Sequence, residues 1–190
     1  MIRELKNDVS YSFELLDKNR ESQFYRRIAL RNIFSFIEVT INVIKFELKR
    51  ELRLGRIENK LTTKETEILY EEKISTKVGR NIKQIINIPL EKNLKGTFNI
   101  AKKMWCLRNY VLDVNSNEYS YFKKAKYSRN KLTHPKDYYD IQITVVDIKV
   151  AYLTYVWVKE NFIKLFKEKI NIGLEELPED IKNRFWEEET

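Results

Sequence analysis

The chain has 190 residues, enough to bury one hydrophobic core but not two, so we expect a single domain over 1–190. Hydrophobic residues make up 43% of it, but four Gly and three Pro are too few turn formers for a sandwich or barrel of many short strands. With one Cys and one His, the chain cannot form an intramolecular disulfide, a cysteine-based zinc site or a multi-histidine metal cage. The net charge of +8 indicates either an anionic partner or only solubility.

The first third of the chain predicts two helices. Ile2 to Leu16 is amphipathic, and Glu21 to Leu54 follows without a Gly or Pro until Gly55 ends it. Apolar residues in the second stretch recur three and four positions apart, as on one helical face: Ile33, Phe36, Ile37, Ile41, Ile44 and Leu48. We therefore expect a short helix followed by a long one.

The middle of the chain predicts two shorter helices. Leu61 to Ser75 has the composition of an exposed, charge-rich helix, with Thr62 or Thr63 as its cap. Pro89 suits the first position of a helix that reaches about Trp105, because the amide proton that proline lacks has no hydrogen-bond partner at that position of a helix.

A basic helix and a second long helix are expected in the last third. The basic helix runs from Glu118 to about Thr133, and Pro135 stops it near His134. The long helix starts at Thr144, where Thr144 and Asp147 have the spacing of a capping box, and ends before Gly173, at about Ile170. Since no convincing strand pair is visible, the expected fold class is an all-α bundle with two long helices and additional shorter ones.

The expected cellular location depends on two sequence features, a secretory signal and a membrane-spanning segment. Met1 to Lys6 has no apolar stretch of the kind that a secretory signal needs, and the longest clean apolar run, Val150 to Val158, is too short to span a bilayer. We therefore expect a cytoplasmic protein that needs no membrane, and no metal or other cofactor.

Positive charge is concentrated in 60 residues of the chain. The segment from Lys77 to Lys136 holds 14 Lys or Arg and three acids, whereas the rest holds 22 positive and 25 negative residues. Such concentration is typical of a phosphate-binding face, although a solvated lysine-rich surface is the alternative. The tail, about 171–190, is acidic and is expected to pack against a basic face of this chain or of a partner.

The only histidine lies in this basic segment. Asn130 and His134 are four positions apart, so they share a helical face, and Arg129 is long enough to reach the same space. A histidine can donate or accept a proton, and a guanidinium matches phosphate oxygens. The three side chains suit phosphodiester cleavage by general acid and base catalysis, whereas the alternative is a capping histidine beside a surface arginine.

The run Arg129-Asn130-Lys131-Leu132-Thr133-His134-Pro135 resembles the signature of the HEPN superfamily of α-helical ribonucleases. In that signature an Arg, usually followed by a polar residue, precedes a His by four to six intervening positions, and here four intervene. The long early helix, with Arg31-Asn32 and the acid Glu38, is similar to the family's early core helix. The alternative for Glu38 is an acid that is solvated at the edge of the apolar stripe or paired with a Lys or Arg on the core side.

The resemblance implies a helical bundle that forms a homodimer and joins two Arg and His motifs in a composite cleft. Members cut RNA without metal, through attack of the ribose 2′-hydroxyl, and many are toxins or effectors of bacterial antiphage or toxin–antitoxin systems. We expect His134 to act as acid or base, Arg129 to bind the scissile phosphate and Asn130 to orient one of them, with Glu38 as a further site residue. In the subgroup silenced by a nucleotidyltransferase antitoxin, a Tyr stands two places after the His, where this chain has Lys136.

The expected contacts to the RNA backbone are lysines, since these need only be near the strand: Lys123, Lys124, Lys126, Lys131 and Lys136. Aromatic residues beside them are expected mainly in the core, with stacking on unpaired bases as the alternative: Tyr119, Tyr121, Phe122 and Tyr127. Trp105 and Trp157 are expected to pack in the core.

Two rival functions are compatible with the same sequence. One is a non-catalytic helical module that binds RNA or protein within a defence complex. The other is a subunit that stays silent until a sensor protein, an antitoxin or a phage component releases it.

Overall fold

Six α-helices dominate the part of the chain that the computed structural model describes, residues 1–77 and 80–175, which confirms the all-α prediction. A two-stranded hairpin and one 3₁₀ turn complete the described elements. In chain order these are α1 (Ile2–Lys18), α2 (Gln23–Arg53), α3 (Thr63–Tyr70), β1 (Glu72–Lys77), β2 (Arg80–Ile85), α4 (Leu90–Met104), α5 (Asn117–Thr133), the 3₁₀ turn (Tyr138–Ile141) and α6 (Val145–Glu175).

The long helix α2 is the centre of the bundle. It contacts α1, α4, α5 and α6, and its apolar stripe is buried, with Ile37 and Ile44 fully excluded from solvent. The hydroxyl of Ser22 caps its first turn by accepting a hydrogen bond from the Tyr25 amide. Gly55 follows its end with φ = 66°, a left-handed conformation that a glycine adopts without strain, as expected for a helix stop.

Trp105 and Trp157 are both buried, as the sequence predicts. The Trp157 ring contacts those of Tyr119 and Phe122, which joins α5 to α6. Tyr119 and Phe122 are themselves buried, so packing is their role within the chain. Because these rings hold one face of α5 against the core, the opposite face of the helix is turned toward solvent.

The prediction of a helix from 61 to 75 is correct only in its first half. Thr62 caps it with Glu65 in a full capping box, but the helix ends at Tyr70, and Glu71 has a left-handed backbone with φ = 57°. The chain then forms an antiparallel hairpin in which Glu72 pairs with Ile85 and Lys77 with Arg80. The expectation of no strand pair is therefore wrong, because pairing between two six-residue segments leaves little trace in a local pattern.

Two predicted boundaries of the later helices shift. Pro89 is the N-cap of α4 rather than its first helical residue. The capping box of α6 is present, with the Thr144 amide donating to Asp147 Oδ2 over 2.9 Å and the Asp147 amide donating to Thr144 Oγ1 over 3.1 Å. Gly173 does not end α6, which continues to Glu175, since one glycine costs a helix only about 1 kcal/mol relative to alanine.

The predicted acidic tail lies mostly outside the described residues. Positions 171–175 belong to α6, and 176–190 are not described. Within the described ranges, no helix combines the length and the apolar character needed to cross a bilayer.

Candidate functional site

An ion pair between α2 and α5 forms the centre of the candidate site. Arg129 Nη2 donates to Glu38 Oε1 over 2.7 Å, and Arg129 Nη1 donates to Asn130 Oδ1 over 3.3 Å. Both partners of the ion pair are partly exposed. Glu38 is therefore a paired acid at the edge of the apolar stripe, and its partner is the arginine that the sequence singles out.

These side chains line an open cavity of about 480 Å³. Its walls come from α2, from the segment between β2 and α4, from α4 itself and from α5. The full lining is Glu38, Ile41, Asn42, Glu71, Ile86, Asn87, Ile88, Pro89, Leu90, Asn93, Lys126, Arg129 and Asn130. Three of the four predicted catalytic residues thus meet at one concave surface, together with one predicted RNA-binding lysine, Lys126.

A second polar cluster, formed by Glu71, Asn93 and Lys45, also contributes to the cavity, since Glu71 and Asn93 line it. Glu71 Oε1 accepts hydrogen bonds from Lys45 Nζ over 2.7 Å and from Asn93 Nδ2 over 3.1 Å. Burial raises the pKa of Glu71, but the hydrogen bond and the positive charge of Lys45, together with the hydrogen bond of Asn93, outweigh burial and hold that pKa below its ordinary value. Burial also lowers the pKa of Lys45, whose side chain is almost fully enclosed.

No pattern in the sequence points to the Glu71 cluster. Glu71 lies within a stretch predicted to be helical, and only the turn into the hairpin brings its carboxylate against α2 and α4. A carboxylate 26 positions after a buried lysine has no characteristic spacing, so no sequence signal was available for this pair.

His134 lies at the carboxyl end of α5 and is not part of the cavity lining. It caps the carboxyl end of α5, as expected, with its amide donating to the Asn130 carbonyl over 2.9 Å. Its backbone angles, φ = −130° and ψ = 63°, are not helical, because Pro135 disfavours helical angles in the residue before it. The side chain is exposed and does not line the cavity, so the expected meeting of His134 with the other three residues stays a prediction.

The five predicted RNA-binding lysines fall into two groups. Lys126 pairs with Glu91 over 2.5 Å, and Lys131 pairs with Asp140 over 3.2 Å. Lys123, Lys124 and Lys136 are exposed and form no ion pair with any described residue. The unpaired three are the lysines whose charge is most available to an anionic ligand.

The groove between α5 and α6 carries two of these lysines. Lys123 and Lys124 line it beside Tyr127, whose ring is exposed, and Val146. Lys131 Nζ lies 5.1 Å from the centre of the Tyr127 ring on the same helix. Tyr127 is thus the one member of the predicted aromatic set that both exposes its ring and lies among lysines in the described part of the chain.

Among the described residues, no group of three or more His, Cys, Asp and Glu side chains is arranged to hold a metal ion. No protein-family model matches the chain, and no curated protein or solved structure is significantly similar to it.

Proposed function

We propose that this protein is a metal-independent endoribonuclease of the HEPN type, which cleaves RNA by 2′-hydroxyl transesterification as a homodimer. The observation that carries the proposal is that Arg129, Asn130 and Glu38 line one cavity. Arg129 and Asn130 lie on the basic helix α5, about one turn before His134 at its end. A cytoplasmic toxin or effector of antiphage defence, or of a toxin–antitoxin system, is the biological role that goes with this chemistry.

The proposed reaction needs a base, an acid and a cation. One imidazole removes the proton of the ribose 2′-hydroxyl, and the freed oxygen forms a new bond to phosphorus. The bond from phosphorus to the 5′-oxygen breaks, and a second imidazole donates the proton that this leaving oxygen takes up. The guanidinium of Arg129 stabilises the added negative charge on the phosphate oxygens, and the products are a 2′,3′-cyclic phosphate and a 5′-hydroxyl.

A homodimer supplies the second imidazole, because each chain has one histidine. The exposed position of His134 at the end of α5 leaves it accessible to a second copy. Four apolar side chains that follow it in the chain are also exposed, as at many protein interfaces: Tyr138, Tyr139, Val145 and Val146.

Incubation of the purified protein with mixed RNA in excess EDTA tests this function. The wild-type protein is expected to produce fragments with 2′,3′-cyclic phosphate ends, and His134→Ala is expected to bind RNA without cutting it. Arg129→Lys, which keeps the charge but loses the planar fork, should cut more slowly. Unchanged cleavage by His134→Ala, or a strictly monomeric wild-type protein in light scattering, would falsify the proposal.

One observation favours a second candidate, a non-catalytic RNA-binding module. Arg129 is already engaged by Glu38, and the side chain of His134 lies outside the cavity. The same assay decides between the two, since such a module binds RNA but leaves every strand intact.

A further inference from the structure

Asn93 and Glu71 bring hydrogen-bond acceptors to the lining of the cavity. Asn93 Oδ1 is buried without a hydrogen-bond partner among the described residues, while the amide nitrogen of the same side chain is fixed on Glu71. A carboxylate has about four acceptor positions, and the two donors to Glu71 Oε1 occupy two of them. Two neighbouring side chains of the lining therefore keep acceptor positions that no described residue fills.

A buried acceptor without a donor is unfavourable, and a native structure usually supplies one. A bound water or a molecule that enters the cavity supplies this donor, because Asn93 Nδ2 already sets the orientation of the amide. The ligand that fits best presents at least two adjacent N–H groups, one for Asn93 Oδ1 and one for the Glu71 carboxylate.

The rest of the cavity divides into an apolar part and a cationic part. Ile86, Ile88 and Leu90 are partly buried along the segment that leads into α4, and they offer apolar contact to the face of a flat ring. Lys126 and Arg129 lie on the α5 side and still have donors beyond those used in their ion pairs. Acceptors, an apolar surface and cations together suit a nucleotide, and the volume of about 480 Å³ is within the range of roughly 300–1,000 Å³ typical of small-molecule sites.

We propose that this cavity is a base-specificity site that receives a guanine of the RNA substrate, with Asn93 and Glu71 accepting hydrogen bonds from its Watson–Crick edge. Guanine presents an imino and an amino donor side by side, whereas adenine and cytosine present one amino group and uracil one imino group. The phosphate of the bound nucleotide then lies toward Lys126 and Arg129. This inference rests on the proposed ribonuclease function, and it adds the base that the enzyme reads.

The cavity lies close to the proposed catalytic histidine along helix α5. Asn130 lines the cavity and His134 is four residues further on, about 6 Å along the helix axis. A strand whose guanine occupies the cavity therefore presents the adjoining phosphodiester toward the end of α5, where His134 lies.

Calorimetric titration with the four ribonucleoside 5′-monophosphates tests the base preference directly, without any cleavage. We expect guanosine monophosphate to bind at least about tenfold more tightly than each of the other three, the equivalent of about one hydrogen bond to a buried acceptor. Asn93→Ala should remove most of this preference. Asn99→Ala, an exposed asparagine on the same helix, should leave it unchanged.

Asn93→Leu is a second variant, of nearly the same shape as asparagine, in case alanine destabilises α4. Equal binding of the four monophosphates, no detectable binding, or a preference that survives in both Asn93 variants would overturn the inference.

His134→Ala separates this result from the test of the proposed function. It should bind guanosine monophosphate as the wild type does while losing cleavage. Cleavage that depends on His134 but shows no guanine preference would overturn the inference alone, whereas guanine binding by a protein that cuts no RNA would overturn the ribonuclease proposal alone.

Discussion

Glu38 and Arg129 lie 91 positions apart in the chain, and a 2.7 Å hydrogen bond joins the carboxylate of one to the guanidinium of the other. The pair links the central helix α2 to the basic helix α5 at the wall of the cavity. Because Arg129 also donates to Asn130, its guanidinium is held from two sides. An anion that binds there meets an arginine already oriented toward it, which lowers the entropy cost of forming the contact.

Glu38→Gln tests whether this orientation matters for the reaction. We expect cleavage to slow by roughly 10-fold to 100-fold, because a misplaced cation stabilises the transition state less well. Stability should hardly change, since an ion pair of this exposure contributes at most about 1 kcal/mol, or a melting temperature shift of about 2–4 °C. Single-turnover cleavage rates and thermal melts measure the two effects.

Glu47→Gln is the matched control for that variant. Glu47 lies on the same helix and pairs with Arg50 over 2.8 Å, with partial exposure similar to that of the Glu38 pair. Equal losses of activity in the two variants would show that the effect comes from α2 in general and not from the orientation of Arg129.

Helices that carry their own signals could be predicted from the sequence. The stripe of α2, the capping residues Thr62 and Thr144, and the stop at Pro135 all depend on residues within a few positions of one another, where local geometry decides the outcome. The hairpin could not be predicted, because β1 is stable only when paired with β2.

The candidate site divides in the same way. Arg129 and Asn130 are adjacent on one helix, so their common position follows from sequence alone. The position of Glu71 depends on the turn into the hairpin, which brings its carboxylate against α2 and α4. Tertiary contacts therefore account for the part of the site that could not be predicted.

Removal of Lys123 and Lys124 tests the electrostatic part of RNA binding. Each neutralised phosphate on a single strand contributes about 0.7 to the slope of log affinity against log salt, so the double alanine variant should reduce that slope by about 1.4. Both lysines are expected to contact phosphates because they are exposed and form no ion pair within the described residues. Binding titrations at several salt concentrations, with His134→Ala as the background to prevent cleavage, give the slope.

A double variant of Lys6 and Lys18 controls for net charge. Both are exposed on α1, so their removal changes the charge of the protein by the same amount. A slope that falls equally in both double variants would mean that the protein attracts RNA by overall charge, without a defined path along α5.

The contact of Glu91 with Lys126 and Tyr119 predicts a pH dependence of stability. The hydrogen bonds from these two side chains lower the pKa of Glu91 below its ordinary value of 4.5. A carboxylate with a lowered pKa stabilises the fold above its ordinary pKa, and this contribution is lost as the pH falls through the lowered value. Glu91→Gln should therefore be less stable than the wild type at pH 7, and the difference should shrink as the pH falls below about 4.5.

Urea unfolding of both proteins between pH 7 and pH 3 measures that difference. Glu160→Gln is the control, because Glu160 is exposed on α6 and makes no hydrogen bond to a described residue. A difference between wild type and Glu91→Gln that stays constant across this range would contradict the linkage.

Gly96 allows α3 and α4 to approach closely, and this contact predicts a compensating pair of substitutions. A methyl group at position 96 would lie 2.7 Å from Cδ1 and 3.1 Å from Cγ2 of Ile68, which is buried. Gly96→Ala gains about 1 kcal/mol of helix propensity, but overpacking costs about 1–3 kcal/mol, so we expect a net loss of stability of about 1 kcal/mol. Ile68→Val alone, which deletes the δ-methyl group, should cost about 0.5–1.5 kcal/mol.

The double variant Gly96→Ala with Ile68→Val should be clearly more stable than the sum of the single effects predicts, because the new methyl group occupies the space that the δ-methyl group leaves. A coupling free energy of about 1 kcal/mol or more in denaturant unfolding is the expected result. Additive effects would mean that the two helices move apart to admit the extra methyl group. In that case the α4 wall of the cavity, where Asn93 lies one turn before Gly96, would shift as well.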